Sequence, residues 1–417
     1  MTSLTLEPSS VREATRIFLR LVRPRPLADP YPQYRRLREL APVHPVRLPD
    51  LGTAWVAAAH SAVTGLLRHR AFGPLSRDRL DELSPGWRRQ PLTSCLYQAM
   101  AFQHGPDHRA SRGLVSSEFA GRAALAGRPA VVGLAEELLD ALERGDGETD
   151  LMASLALPFA ALSIGRVLGV PDSLALELAP LLRPAGIVFE PLATAAQRAL
   201  QHEAGDRIVP LLAGLLAARR RDPRDDLVSR LARHPFPGDP LEAERAALGT
   251  VAMLFSAGAD SPTSLIGLGT RLFLEHPDQA ALLRASPSLA PSAAEELLRH
   301  DSPVQLVVRT AYEDTVLAGV PVPRDGVVFG LLASANRDPE VVSSPDRFDI
   351  ARPPVPLLSF GAGPHYCLGA PLARLQAEVL FPRLLRRFPA LRSAGAPVYR
   401  SPGTMLRSPE SLPVALR

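Results

Sequence analysis

Apolar residues recur every three or four positions through most of the chain between about residue 61 and residue 300. Segments such as PAVVGLAEELLDALERG and DRIVPLLAGLLAARRR show this spacing, which is typical of helices with one buried face. Between about residues 304 and 330 the pattern changes to short runs rich in valine, such as VQLVVRTA and GVVFGLL. These runs and GTAWVAAA near the amino terminus favour strands.

At 417 residues the chain exceeds the usual size of a single core, so two domains or one large fold with a sizeable interior are expected. No internal repeat or flexible linker divides the sequence. We therefore expect a single, mainly α fold over residues 1–417 with a smaller β-rich part. The β-rich part is predicted from about 31–60 and 304–330 with the C-terminal tail, and the helical part from about 61–300 and 368–390.

The segment from Asp239 to His276 is predicted to form one long helix. Asp239 suits the N-cap and Pro240 the first helical position, while AALGTVAMLF is apolar around most of its circumference, which favours burial. SAGADSPTS follows in the middle of the segment. Pro262 has no N–H for the carbonyl group of Gly258, so we expect the helix to open or kink there.

The composition excludes several classes of partner. The formal charge is +4 and all 47 basic residues are arginine, but they are scattered and lack the interleaved aromatic residues of a nucleic-acid-binding surface. No apolar run reaches the length of about 18 residues that a membrane-spanning helix needs. The first residues lack the apolar core of a signal peptide. We expect a cytoplasmic protein that binds neither nucleic acid nor membrane.

The stretch FGAGPHYCLGAPLAR, residues 360–374, places Cys367 directly before a helical pattern. Free backbone N–H groups and the helix dipole at such a position favour the thiolate. A zinc or iron–sulfur site needs more ligands than the two cysteines of this chain provide, and a cysteine nucleophile needs an oriented histidine. A haem ligand and an inert, buried cysteine both remain open from this reasoning.

The residues FGAGPHYCLG resemble the haem-binding signature of the cytochrome P450 family, and the following CLGAPLAR is similar to that of its bacterial soluble members. The resemblance implies the cytochrome P450 fold, in which a long central helix crosses the haem and the cysteine loop lies on the opposite face. It also implies haem b (iron protoporphyrin IX) as the cofactor, Cys367 as the metal ligand, and Phe360 and Gly369 as residues that bind the cofactor.

The resemblance assigns further residues to the haem and to oxygen chemistry. It implies that His108, Arg112, Arg309 and His365 bind the haem propionates, and that Gly258 lies on the oxygen side. Asp260 is implied as the catalytic acid of a proton relay, and Ser261 stands where the family usually has threonine. Because Pro262 follows, Thr263 or Ser264 could replace Ser261 in the relay if a break turned them inward.

A buried ion network behind the haem is also implied. Glu296 and Arg299 in AAEELLRH lie three residues apart, on one face of a helix, and match the family's Glu-x-x-Arg pair. Either Arg347 or Arg352 completes this network, and the sequence does not choose between them.

By resemblance, the chain is a haem-thiolate monooxygenase that uses dioxygen and a separate ferredoxin-type redox partner. We expect it to hydroxylate or epoxidise a hydrophobic small molecule in natural-product biosynthesis. Oxidative coupling or ring formation without oxygen insertion is an alternative, and a non-catalytic haem-binding protein is another from a different class. Five stretches are implied to face the substrate: 87–102, PAGIVFEPLATAA, 254–257, 304–308 and 404–406.

Overall fold

The computed structural model describes residues 8–22, 27–49, 51–190, 193–400 and 404–417. Helices dominate the chain from about residue 60 to residue 300, as predicted. The helices are α1 (Pro8–Leu21), α2 (Tyr31–Leu40), α3 (His60–Arg68), α4 (Arg77–Leu83), α5 (Pro91–Leu96), α6 (Gly105–Gly113), α7 (Gly121–Ala126), α8 (Arg128–Glu143), α9 (Leu157–Leu168), α10 (Asp172–Ala185), α11 (Ala195–Arg221), α12 (Leu227–Arg233), α13 (Pro240–Glu275), α14 (Pro277–Ala285), α15 (Ala290–His300), α16 (Leu332–Ala335) and α17 (Ala370–Arg387).

Strands from both ends of the chain combine in one five-stranded sheet of order β1-β2-β8-β5-β3, in which β2 and β8 are parallel and the other pairs are antiparallel. The mainly α fold with a smaller β-rich part is confirmed, while the strands of the C-terminal tail lie in separate small sheets. The strands are β1 (Val43–Leu48), β2 (Gly52–Ala57), β3 (Phe72–Gly73), β4 (Glu148–Asp150), β5 (Val307–Ala311), β6 (Thr315–Leu317), β7 (Val320–Val322), β8 (Val327–Gly330), β9 (Arg392–Ser393), β10 (Val398–Tyr399), β11 (Pro409–Ser411) and β12 (Pro413–Ala415).

The predicted start of the β-rich part, at about residue 31, is wrong. Residues 31–40 form helix α2, and the first strand begins at Val43. Tyr31, Tyr34 and Leu37 recur every three residues and are buried on one face of α2, and Pro32 lies in the first turn, where a missing N–H costs no hydrogen bond. The prolines of this part of the sequence favour an extended conformation when local preference alone is considered.

Helix α13 is the central element of the helical part and packs closely against α5 and α9. A Cβ atom on Gly249 would lie 1.9 Å from the carbonyl oxygen of Cys95 in α5. A Cβ atom on Gly258 would lie 2.4 Å from Cγ1 of Ile164 in α9. These glycines therefore allow the neighbouring elements to approach the backbone of α13.

The long helix begins as predicted, with the Asp239 carboxylate accepting hydrogen bonds from the backbone N–H groups of Leu241 and Glu242, each at 2.9 Å. The expected opening at Pro262 is not observed, because residues 240–275 are helical throughout. Pro262 is buried in this helix, so tertiary packing holds a turn that proline disfavours. None of the helices in the described ranges is both long and apolar enough to cross a membrane.

The C-terminal tail folds back against the segment before β5. Strand β10 pairs with β11, and between them the backbone N–H of Gln305 donates to the carbonyl oxygen of Met405 at 2.8 Å while that of Arg407 donates to Pro303 at 2.8 Å. The Arg407 side chain also pairs with buried Asp301 at 3.1 Å. These bonds fix the tail beside the main cavity.

Candidate active site

One cavity of about 570 Å³ lies between α13, the cysteine loop and the sheet, and its walls are mainly apolar. Every candidate residue except Asp260 lines it: His108, Arg112, Gly258, Ser261, Arg309, Phe360, His365, Cys367 and Gly369. All five stretches expected to face a substrate also contribute residues to its wall. The structure thus brings together residues from most of the chain.

The cysteine loop is held by its own backbone. The N–H of Cys367 donates to the carbonyl oxygen of Phe360 at 2.9 Å. Gly363 has a φ angle of +69°, and a Cβ atom there would lie 2.4 Å from the carbonyl oxygen of Leu67. Since both the left-handed backbone and the close approach require glycine, the sequence of the loop dictates its shape.

Cys367 opens onto the cavity, where it is accessible to solvent. The surrounding protein nevertheless raises the pKa of its thiol, because burial disfavours the charge more than the backbone N–H groups of Gly369 and Ala370 and the charge of Arg112 stabilise it. The N–H groups at the helix N-terminus therefore do stabilise the thiolate, as expected, but the effect of burial on the pKa is larger. A metal ion's charge deprotonates a coordinating thiol outright.

Cationic groups cluster on one side of the cysteine loop. The rings of His108 and His365 lie 4.0 Å apart. Burial, reinforced by the charge of Arg309, lowers the pKa of His365 to about 3, and burial lowers the pKa of Arg309 to about 10. No acidic side chain in the described parts of the chain forms a salt bridge with His108, Arg112, Arg309 or His365.

The two observations together fit a haem. Arg112 and Arg309 place like charges in a partly buried site, which is unfavourable unless groups of opposite charge join them, and the two propionates of haem supply two such groups. His108 and His365, whose pKa values are lowered, can add hydrogen bonds as neutral imidazoles. The single cysteine sulfur at the adjacent wall is the kind of donor that serves as a sole axial ligand. The residues present therefore provide both groups that a haem needs, a ligand for the iron and counter-ions for the propionates.

Asp260 faces away from the cavity. Its carboxylate accepts hydrogen bonds from Nη1 of Arg400 at 2.7 and 3.0 Å, and Arg400 also donates to the carbonyl oxygen of Arg183 at 2.6 Å. A Cβ atom on Gly186 would lie 2.7 Å from Nη2 of Arg400, so this glycine leaves room for the ion pair. The structure places the candidate relay acid in contact with the tail rather than with the cavity.

Among the hydroxyl groups considered for the relay, Ser261 lines the cavity and Thr263 and Ser264 do not. The Ser261 hydroxyl donates to the carbonyl oxygen of Ala257 at 2.8 Å. The hydroxyl group of Thr263 donates to the backbone carbonyl oxygen of Ala259 at 2.7 Å, and that of Ser264 donates to the backbone carbonyl oxygen of Asp260 at 2.9 Å. Because the helix stays intact at Pro262, the suggested inward turn of the two later residues does not occur.

The buried ion network contains Arg352 and not Arg347. Glu296 accepts hydrogen bonds from Arg299 at 2.6 and 2.8 Å and from Nε of Arg352 at 3.1 Å. The Arg352 side chain is 9% exposed, whereas that of Arg347 is 70% exposed and lies beside Asp349. Arg299 further donates to the carbonyl oxygen of Pro345 at 2.7 Å, which ties the irregular segment to α15.

Two residues of the cavity region escaped the sequence reasoning. Arg400 had no signal, because it is one arginine among many in the tail. Glu190 lines the cavity, and its carboxylate oxygens lie 3.2 and 3.3 Å from the backbone nitrogen of Met405, which donates to them. Burial raises the pKa of Glu190. The position of this acidic residue within the otherwise apolar segment GIVFEP was the sequence feature that could have indicated a buried carboxylate.

Comparisons with known proteins agree with this geometry. The family described as Cytochrome P450 matches residues 288–411. The cytochrome P450 monooxygenase PikC of Streptomyces venezuelae is 36% identical over 401 residues, which cover 94% of this chain and 92% of that protein.

Solved structures extend the match to the whole fold. P450BioI in complex with an acyl carrier protein ligated to hexadec-9Z-enoic acid superposes with a TM-score of 0.85 and 31% identity, over 93% of this chain and 99% of that one. CxnD, described as an enzyme for C–S bond formation in chuangxinmycin biosynthesis, gives 0.82 and 32%, over 93% and 94%. The chain therefore belongs to the cytochrome P450 family and is a cytochrome P450 monooxygenase with haem as its cofactor.

Proposed function

We propose that this enzyme inserts an oxygen atom from dioxygen into an apolar small molecule, by hydroxylation or epoxidation. The observation that carries the proposal is the shared cavity, in which Cys367 on one wall and Gly258 and Ser261 of α13 on another enclose a mainly apolar space. Apolar walls with few polar groups favour an apolar ligand and fix its orientation at those groups.

A haem held at this site would supply the chemistry of dioxygen activation, with electrons from an external donor that we propose to be a ferredoxin. Cys367 would hold the iron through its thiolate, and the loop hydrogen bond from Cys367 to Phe360 keeps the sulfur at the cavity wall. His108, Arg112, Arg309 and His365 would bind the propionates. The apolar walls exclude water from the space around the substrate.

Protons would reach the cavity through Asp260 and Ser261. Asp260 is 14% exposed at its side chain, so it is in contact with solvent, and its next neighbour Ser261 lines the cavity. For Asp260 to deliver a proton inward, its carboxylate has to exchange the bond to Arg400 for one to water or to the cavity side. Ser261 would then pass the proton on through its hydroxyl group.

Similar proteins support a role in natural-product biosynthesis, since CxnD is described in those terms. The same relative favours a second candidate function, oxidative coupling without oxygen insertion. Two features of this chain are consistent with coupling: serine stands where threonine is usual, and Asp260 is bound to Arg400. Membership in a family of monooxygenases makes a non-catalytic haem protein the weakest alternative.

The deciding experiment uses the holoenzyme with a ferredoxin, its reductase and isotopically labelled dioxygen. A panel of apolar compounds is first screened for those that shift the Soret band, and their products are analysed by mass spectrometry. Incorporation of one labelled oxygen atom supports the proposal. A product that has lost hydrogen without gaining the label supports coupling. A reduced haem that neither consumes further electrons nor forms product with any ligand that shifts the Soret band would support the non-catalytic alternative.

A further inference from the structure

Most of the charged and titratable side chains that line the cavity already have a partner or a proposed role. Four cationic or titratable side chains surround the cysteine loop, where the haem propionates account for them. Glu190, the one carboxylate in the described cavity wall, is occupied by the backbone of Met405. Arg198 of α11 is left over: it lines the cavity, it is exposed at the protein surface, and it forms no ion pair within the described ranges.

Next to Arg198 the apolar wall contains a chain of buried polar side chains. Nε2 of Gln201 donates to Oγ1 of Thr93 at 3.1 Å, and Oγ1 of Thr93 donates to Oε1 of Gln90 at 3.1 Å. Gln201 is 3% exposed and Thr93 is 5% exposed. Polar groups buried in an apolar wall lower stability unless they are hydrogen-bonded, and Gln201 and Thr93 meet this condition within the chain itself.

The direction of this chain determines what it offers to a ligand. Because Oε1 of Gln90 accepts from Thr93, the amide NH₂ group of Gln90 remains as a donor, and no residue in the described part of the chain accepts from it. Arg198 has only N–H donors. Arg198 and Gln201 are three residues apart and therefore lie on the same face of α11. The cavity wall at this corner therefore contains a cation and amide N–H groups with no acceptor among the described residues.

The corner is also held rigidly. Gly205, one turn after Gln201, lies where a Cβ atom would be 2.9 Å from Cβ of Leu92 in α5. This close approach of α11 to α5 brings Gln201 within hydrogen-bonding distance of Thr93, the residue after Leu92. A binding group that is fixed before the ligand arrives loses less conformational entropy when it binds.

We propose that Gln90, Thr93, Arg198 and Gln201 form a subsite for the carboxylate of a substrate whose remaining part is apolar. This inference rests on the proposed function, and it narrows the substrate class to amphipathic acids bound with the carboxylate at the surface end of the cavity. Arg198 supplies the charge, and the remaining amide N–H groups of Gln90 and Gln201 supply hydrogen bonds that a carboxylate can accept through both oxygens. Thr93 positions the two amides, because its hydroxyl group already bonds to both.

The test compares three ligands with the same fourteen-carbon chain: tetradecanoic acid, tetradecan-1-ol and tetradecyltrimethylammonium. Their binding to the holoenzyme is measured by calorimetry and by the Soret shift at pH 8, at low concentration and at two ionic strengths. A charge-assisted hydrogen bond is expected to give the acid an advantage of about 10-fold or more over the alcohol. Salt should reduce this advantage, because Arg198 is exposed.

The variants Arg198→Gln and Gln201→Leu should reduce the advantage of the acid to less than about 3-fold while leaving the affinity for the alcohol within about 2-fold. Arg207→Gln is the matched control, since Arg207 is an exposed arginine of the same helix outside the cavity wall. The acid should keep its advantage in this variant.

Three results would overturn the inference: equal binding of acid and alcohol, tighter binding of the ammonium ligand, or equal losses in the Arg198 and Arg207 variants. The ferrous–CO spectrum separates this failure from that of the proposed function. A spectrum typical of thiolate ligation with no preference for the acid removes the subsite alone, whereas loss of that spectrum in the wild type removes the proposed function.

Discussion

Two features distinguish Asp260 from an ordinary surface carboxylate. Both of its carboxylate oxygens accept from Nη1 of Arg400, and the next residue in the chain, Ser261, lines the cavity. If Asp260 carries protons, Asp260→Asn should lower the rate of product formation by about 100-fold or more, the size expected for loss of a general acid. Haem content and the Soret spectrum should not change, because Asp260 does not line the cavity. Steady-state turnover with the reconstituted electron donor measures the effect.

Arg400→Gln provides the comparison for that prediction. It frees Asp260 without removing its carboxylate, so turnover in this variant should exceed that of Asp260→Asn. Equal turnover of Asp260→Asn and the wild type would show that protons reach Ser261 by another route.

Cys367→Ala should abolish the ferrous–CO band that is typical of thiolate ligation, while the apoprotein stays folded. The loop is shaped mainly by glycines and backbone hydrogen bonds rather than by the sulfur. Absorption spectroscopy and circular dichroism of the purified variant test both parts. A variant that retained the thiolate band would disprove the assignment of the ligand.

Arg352 and Arg347 differ sharply in their environments, although the sequence offered both. Arg352→Gln should lower the free energy of unfolding by about 3 kcal/mol, because it leaves buried Glu296 with one fewer cation. Arg347→Gln should change it by less than about 0.5 kcal/mol, as expected for an exposed pair. Chemical denaturation of the two variants makes the comparison, and similar losses would contradict the observed network.

The feature of the candidate site that could be predicted most fully from the sequence is one that depends on neighbouring residues. The loop around Cys367 is determined by glycines within a few positions of the sulfur. The residues that sequence reasoning missed act through distant partners, such as Arg400 with Asp260, 140 positions apart, and Gln201 with Thr93, 108 positions apart. Such pairs leave no periodic or composition signal in either segment.

At the scale of elements, glycines set the distances between helices. Gly249→Ala should destabilise the protein by about 1–3 kcal/mol, because its Cβ would overlap the Cys95 carbonyl group in α5 and overpacking forces a backbone shift. Gly214→Ala in α11 is the control, since no atom lies within 4 Å of its Cβ position. It should stabilise by about 0.5–1 kcal/mol. Thermal and chemical denaturation test both signs, and destabilisation in both variants would contradict the packing argument.

Helix and strand patterns predicted most elements, and proline accounts for the exceptions. In 31–40 prolines suggested extended chain, but Pro32 lies in a first turn and three apolar or aromatic residues bury one face of the helix. At Pro262 the lost hydrogen bond suggested a break, but the proline is buried in a continuous helix. Tertiary packing outweighs local preference in both cases, and packing is the part that one sequence does not display.

At the scale of the whole molecule, the tail is held by carboxylates from distant segments, and one of them links stability to pH. Burial raises the pKa of Glu190 above its ordinary value of 4.5, so the folded protein binds a proton more tightly than the unfolded chain. The stability of the wild type should therefore fall as the pH rises from about 4.5 through the raised pKa. Glu190→Gln should lack this component, so its stability relative to the wild type should rise over the same range.

Unfolding of the two proteins at a series of pH values measures this difference. Both side chains can accept the hydrogen bond from Met405, so a constant difference at all pH values would mean that Glu190 does not titrate differently in the folded state.

Arg400 and Met405 belong to one short stretch near the chain end, and that stretch adjoins both the acid of α13 and the wall that a substrate touches. A library of variants confined to positions 399–400 and 404–408 should therefore alter ligand preference and the coupling of electron use to product in the same clones. Experiments that change this stretch to obtain a new substrate should measure peroxide release as well as conversion. Experiments that must keep electron use coupled to product formation should first vary α5 and α11.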